Sequence, residues 1–203
     1  MYSPTRAAKC MLKCLCKYCS EAPSEIRAVT DANWAGELEG LRSTSCGWMY
    51  FGDYLVETHS STQQIVALST AESEYILITK GAAYALEVCS ALGEHGMTFN
   101  VVCETDASAG RAMATRRGVV RVRHLDARLL WLRQLCAEDM VEVRARPGEH
   151  NEADLGTKMV DLRRMTSLLK GTPLRPPLGW SSWMVAARRL SPRLQRQQKV
   201  AVY

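Results

Sequence analysis

The chain has 203 residues, with 26 Lys and Arg against 21 Asp and Glu, a formal net charge of +5 and a 47% hydrophobic composition. That length suits one packed domain of roughly 100–150 residues with extensions. It holds no run of eighteen apolar residues, and Arg6, Lys9, Lys13 and Lys17 interrupt its first twenty positions, so neither a membrane span nor a secretory leader is expected, and an intracellular chain, cytoplasmic or nuclear, is.

The charge is asymmetric. Nine Lys and Arg and no acid lie between Leu162 and the C-terminus, which leaves 17 basic against 21 acidic residues before it, a balance of −4. An acidic body with a basic tail suits a polyanionic partner: cations neutralise the acids of the body, and Lys and Arg release counterions from phosphates. A solvated extension accounts for the tail equally well. The eight cysteines are expected as free thiols in a reducing compartment. Four of them, Cys10, Cys14, Cys16 and Cys19, fall within ten residues, without the two loop-separated pairs typical of structural zinc, so no zinc site is expected there.

In chain order, Thr5 to Tyr18 has apolar residues near helical spacing and ends at a breaker before Pro23. Ala28 to Asp31 closes a first strand. After a polar loop from Glu37 to Ser45, the runs Cys46 to Phe51 and Tyr54 to Glu57 flank Gly52-Asp53, a hairpin signal. Gln63 to Leu68 leads into a helix capped by Ser69 or Thr70, with Glu72 and Glu74 in its first turn, running to about Leu92. Phe99 to Glu104 is a short strand followed directly by Asp106. Helices over Ser108 to Thr115 and His124 to Ala137 precede a last strand, Val141 to Ala145, and beyond Pro147-Gly148 a final helix opens near Asn151 and carries Asp154. Three segments result: an N-terminal helix over 1–23, a central domain over 24–170, and a basic, Pro-containing tail over 171–203. A hairpin meander followed by crossover helices predicts an α/β domain with a mixed sheet and helices on both faces.

Such a sheet brings Asp31 and Asp106 side by side at neighbouring strand ends, with Glu74 and Asp154 reaching in from the starts of two helices. Carboxylates gathered without thiolate or imidazole are the ligand set for hard divalent cations. Each also has an ordinary structural role open to it: Asp31 in a turn, Glu74 against a helix dipole, Asp106 as an N-cap, Asp154 on a helix surface.

Six phrases, in order, carry a resemblance: Asp31-Ala32-Asn33-Trp34-Ala35-Gly36; Arg42-Ser43-Thr44-Ser45 followed by Gly47; Ser60-Ser61-Thr62-Gln63-Gln64; Val66 through Tyr75; Arg123-His124-Leu125-Asp126; and Ala153-Asp154-Leu155-Gly156-Thr157-Lys158. From about Ala28 to Met159 the chain resembles the ribonuclease H domain of copia-type retrotransposon Pol polyproteins, and Pro4 to Tyr18 resembles the helix that joins it to the reverse transcriptase. The resemblance implies a ribonuclease H-like fold with a mixed five-stranded sheet, three antiparallel strands and then two parallel. It implies two Mg2+ or Mn2+ ions held by Asp31, Glu74, Asp106 and Asp154, with Glu72 the competitor for the second position, and hydrolysis of the RNA strand of an RNA/DNA hybrid. Arg42, Ser43, Thr44, Ser61, Gln63 and His124 are candidates for substrate contact, the Ser and Thr residues serving equally well as strand caps and His124 as a helix cap. His150 stands near the position where cellular relatives place a product-release histidine, though an exposed loop histidine needs no such role. The frame Thr105-Asp106-Ala107-Ser108 departs from the family, which often has a polar residue after the Asp. The implied partners are an RNA/DNA hybrid and a reverse transcriptase module of the same polyprotein.

Overall fold

The structure, a computed structural model, describes residues 15–16, 23–36, 40–116 and 127–175. Its elements are β1 (Leu15–Cys16), β2 (Glu25–Asn33), β3 (Thr44–Phe51), β4 (Tyr54–Thr62), α1 (Thr70–Gly93), β5 (Asn100–Thr105), α2 (Ser108–Thr115), α3 (Ala127–Ala137), β6 (Val141–Ala145), α4 (Asp154–Thr157), α5 (Leu162–Lys170) and β7 (Leu174–Arg175). Five strands form one sheet in the order β4-β3-β2-β5-β6. The first three are antiparallel neighbours, while β5 runs parallel to β2 and β6 parallel to β5. This is the mixed five-stranded sheet expected from the sequence.

Strand alternation sorts the core into two layers. Ile26 and Ala28 of β2 and Met49 of β3 face a layer with Tyr75, Ile78, Ala82 and Ala85 of α1 and Leu132 and Leu135 of α3. Val29 of β2 and Trp48 and Tyr50 of β3 face the opposite layer, with Leu155 of α4 and Leu168 of α5. α1 is long and apolar enough by composition to cross a membrane, yet its Tyr75, Leu77, Ile78, Ala82 and Ala85 are buried within the domain. Gly81 lets it approach the sheet, since a Cβ there would lie 3.2 Å from both Ala28 Cβ and Thr30 Cγ2.

Two expectations are corrected. Leu15–Cys16, inside the segment expected to be helical, pairs antiparallel with Leu174–Arg175, so backbone pairing prevails over helical spacing at those two residues. Residues 1–14 and 17–22, including Cys10, Cys14 and Cys19, lie outside the described residues, as do His124 and residues 176–203. The single final helix is instead three pieces: a 3-10 turn at Gly148–His150, α4, and α5. The break follows Lys158, and α5 restarts at Asp161, whose carboxylate accepts from the Arg164 N–H at 2.8 Å, an N-cap.

A buried polar chain ties the layers behind the site. The Tyr50 hydroxyl donates to Glu152 at 2.6 Å, Glu152 pairs with Arg146 at 2.5 Å, and Arg146 also pairs with Glu104. Tyr50→Phe is expected to leave a buried oxygen of Glu152 without its donor and to cost about 1–3 kcal/mol. Chemical denaturation followed by circular dichroism checks this, and an unchanged midpoint would show that Glu152 finds another donor.

Candidate metal centre

The site forms where β2 outruns its neighbour. β2 pairs with β5 only as far as Thr30, so Asp31, Ala32 and Asn33 continue past the end of β5, and Asp106 follows that end directly. Neighbouring parallel strands thus deliver two carboxylates to one edge, at the place in an open α/β sheet where ligands bind. Glu74 enters from the first turns of α1, and its Oε1 accepts from the Ala32 N–H at 3.2 Å. Asp31, Glu74 and Asp106 each offer an oxygen within 4.8 Å of the other two.

The helix start also separates the two glutamates that competed in the sequence. Ser69 Oγ accepts from the Glu72 N–H at 3.2 Å, and Glu72 accepts in return from the Leu68 N–H at 2.8 Å. Glu72 is therefore engaged by the backbone at the helix start, and Glu74 faces the site. Gly110 of α2 makes room for it: a Cβ there would meet Glu74 Cβ at 3.0 Å.

Glu74 is 4% exposed, and its Oε2 is buried without a hydrogen-bond partner. Burial, reinforced by the charge of Asp31 and more weakly by Asp106, pushes its carboxyl up to about 8. Asp31 is 1% exposed and its pKa is raised by burial, against opposing hydrogen bonds from Thr157 and Lys158. Three acids converge on one point with an orphaned oxygen among them. That is the donor set a hard divalent cation satisfies, and the residues present fit such an ion.

Asp154 stands beside this trio rather than in it. Its Oδ1 accepts from Lys158 Nζ at 2.7 Å, and its Oδ2 from Arg164 at 2.9 Å. The same Nζ donates to Asp31 Oδ1 at 2.9 Å, so one ammonium joins Asp154 to Asp31. The Thr157 hydroxyl donates to the other Asp31 oxygen. Burial works against the charge of Lys158, but Asp154 and Asp31 outweigh it and its pKa is raised. Asn151, fully buried, donates to Asp106 Oδ1 and to the Thr30 carbonyl, both at 3.2 Å. Asn151, Thr157, Lys158 and Arg164 escaped sequence reasoning. The available signal was the four-residue spacing of Asp154 and Lys158, which places them on one helix face.

The candidate contact residues divide by exposure. Ser43 is fully buried, and its Oγ accepts from the Ala35 N–H at 3.3 Å. Gln63 is buried and donates to Ser45 Oγ and the Ser73 carbonyl, both at 2.9 Å, fastening the hairpin to the start of α1. Arg42 and Ser61 are exposed and Thr44 is half-buried, which leaves these three at the surface. His150 is exposed beside Glu149, with its Nε2 3.6 Å from that carboxylate.

The strand order and this carboxylate edge define the ribonuclease H-like class. LC11-RNase H1, isolated from compost by a metagenomic approach, matches with a TM-score of 0.50 over 66% of this chain and 92% of that one, at 14% identity, a likeness of fold. In sequence the chain is 29% identical over 139 residues, 66% of its length, to the retrovirus-related Pol polyprotein from transposon TNT 1-94 of Nicotiana tabacum. It is 27% identical over 108 residues, 48% of its length, to the retrovirus-related Pol polyprotein from transposon RE1 of Arabidopsis thaliana. These relatives are far longer, and the matches span 10% and 7% of them. No protein-family model matches the chain. Relatives and fold together bear out the resemblance to the ribonuclease H domain of copia-type Pol polyproteins.

Proposed function

We propose that the chain is a retrotransposon-derived, metal-dependent endonuclease that hydrolyses the RNA strand of RNA/DNA hybrids. The observation that carries this reading is the convergence of Asp31, Glu74 and Asp106 on one point, with Glu74 Oε2 buried and unpartnered. Asp31, Glu74 and Asp106 would hold one Mg2+ or Mn2+ ion, and Asp31 with Asp154 a second. Such ions, when bound, supply an activated water and stabilise the leaving oxygen. In the reaction, a water oxygen bonds to phosphorus, the P–O3′ bond breaks, and the departing oxygen takes a proton, leaving a 3′ hydroxyl and a 5′ phosphate. Asn151 and Thr157 hold Asp106 and Asp31 in place for this. Arg42, Thr44 and Ser61 are proposed to meet the nucleic acid, where short polar groups read the 2′-hydroxyl. His124 is proposed for phosphate contact and His150 for product release, with a reverse transcriptase module as the neighbour in a longer polyprotein.

The engagement of Asp154 by Lys158 and Arg164 favours a second reading, a non-catalytic nucleic-acid-binding remnant of the same domain. A labelled RNA/DNA hybrid incubated with and without magnesium, with the full chain and a chain ending at Gly171, separates the two. Magnesium-dependent cuts in the RNA strand alone are expected. Hybrid binding without cleavage would establish the remnant, and cleavage of duplex DNA would point to another nuclease class.

A further inference from the structure

The Lys158 ammonium lies between Asp31 and Asp154, donating to one oxygen of each at 2.9 and 2.7 Å. Asp154 spends its remaining oxygen on Arg164 at 2.9 Å. Glu74 and Asp106, which complete the trio with Asp31, show the opposite condition: no lysine or arginine pairs with either among the described residues, and Glu74 Oε2 lacks any partner. One edge of sheet therefore holds two anionic positions, one furnished with its own positive charge and one not. Lys158 is anchored at the end of a buried helix, α4. That helix lies tightly on the sheet, because a Cβ on Gly156 would meet Cys46 Sγ at 2.4 Å and Cys46 Cβ at 2.9 Å. Lys158 is thus delivered to this gap by fold and not by a chance surface rotamer, while its side chain is 43% exposed, leaving it room to swing outward.

We propose that Lys158 is a built-in counter-cation that closes the Asp31–Asp154 position in the resting protein, so that one divalent ion binds at the trio and a second must displace the lysine. Two cations cannot share the oxygens of Asp31 and Asp154 at these distances without strong repulsion. The ammonium carries one charge where a metal ion carries two, so the exchange becomes favourable once further anionic oxygens, such as those of a nucleic-acid phosphate, arrive. Lys158 then moves outward, where a lysine is suited to pair with phosphate as a point charge.

This inference rests on the cation-binding reading of the trio, and the test separates the two. Mn2+ is titrated into the full chain without nucleic acid and followed by calorimetry and electron paramagnetic resonance. The unaltered protein is expected to take one ion in the tight phase. Lys158→Met should take two, or bind the second at least about tenfold more tightly, while Lys158→Arg should behave as the parent. Should the Met variant fold poorly, the parent alone suffices. Reductive methylation of Lys158, read by mass spectrometry, should be slow without metal and several-fold faster at high Mn2+. Identical titrations for parent and Met variant, or methylation indifferent to Mn2+, would overturn the lysine proposal and leave the trio reading intact. No Mn2+ uptake by either protein would overturn both.

Discussion

Asp31→Asn is expected to lower magnesium-dependent cleavage of an RNA/DNA hybrid by about a thousandfold or more, which corresponds to about 4 kcal/mol of barrier, with the folded state retained. Asp31 is the one acid that touches both halves of the site: it belongs to the trio with Glu74 and Asp106 and is joined to Asp154 through Lys158. An amide in its place keeps the shape and one carbonyl oxygen, so the hydrogen bond from Thr157 survives. What disappears is the negative charge shared by both cation positions. The cost to stability is small for two opposing reasons. Burial already disfavours the charged form of Asp31, so removing the charge relieves that penalty. The Lys158 ammonium left behind is 43% exposed and keeps its hydrogen bond to Asp154, so no buried charge is stranded. Single-turnover cleavage and a thermal melt by circular dichroism measure the two effects. A folded variant that cuts at the parental rate would remove Asp31 from the chemistry.

Local sequence signals foretold the sheet well, because its elements are governed by short-range patterns. The Gly52-Asp53 turn, with Gly52 at φ 59°, joins strands whose alternation was visible, and Ser69 caps α1 as its place before an acidic first turn suggested. The three converging acids were legible from their position at element ends, since a strand that outruns its neighbour and a helix that starts beside it must share an edge. Choosing Glu74 over Glu72 rested on the residue before Tyr75, and the hold of the Leu68 N–H on Glu72 supplies the physical reason. Other features depend on contacts more than forty residues apart and leave no local trace. Asn151 reaches Thr30 and Asp106, and Leu15–Cys16 pairs with Leu174–Arg175. The break between α4 and α5 was missed because the apolar spacing of Leu155 with Leu168 and Leu169 continues on both sides of it, while the polar Asp161 cap that restarts the helix is only one residue. Lys158 was quoted as part of a phrase, yet its partner at Asp31 is 127 positions away, beyond any spacing rule.

Glu74→Gln is expected to abolish metal-dependent cleavage as Asp31→Asn does, but with the opposite mark on stability: the metal-free variant should melt several degrees above the parent near pH 8. In the parent, Glu74 Oε1 keeps the Ala32 N–H while Oε2 is buried with no partner, close to two other acids. A glutamine preserves the Ala32 contact and offers an N–H2 donor to a neighbouring carboxylate. An orphaned buried polar group costs about 1–3 kcal/mol, and 1 kcal/mol shifts the melting point by about 2–4 °C at this chain length. The sign with pH follows from burial holding the Glu74 pKa at about 8, above its ordinary carboxylate range. A raised acid binds its proton more tightly in the folded state, so its contribution to metal-free stability is fully present below the ordinary range and is lost as pH climbs toward about 8. Parent and variant should therefore melt together near the ordinary carboxylate range and separate as pH rises. Added Mg2+ should raise the parent's melting point by linkage and leave the variant where it was, narrowing the gap. Melts in chelator and in magnesium at both ends of the pH range test every arm of this expectation. A variant less stable than the parent near pH 8 would mean that Glu74 is already compensated within the protein, and the carboxylate edge would then have no need of a cation.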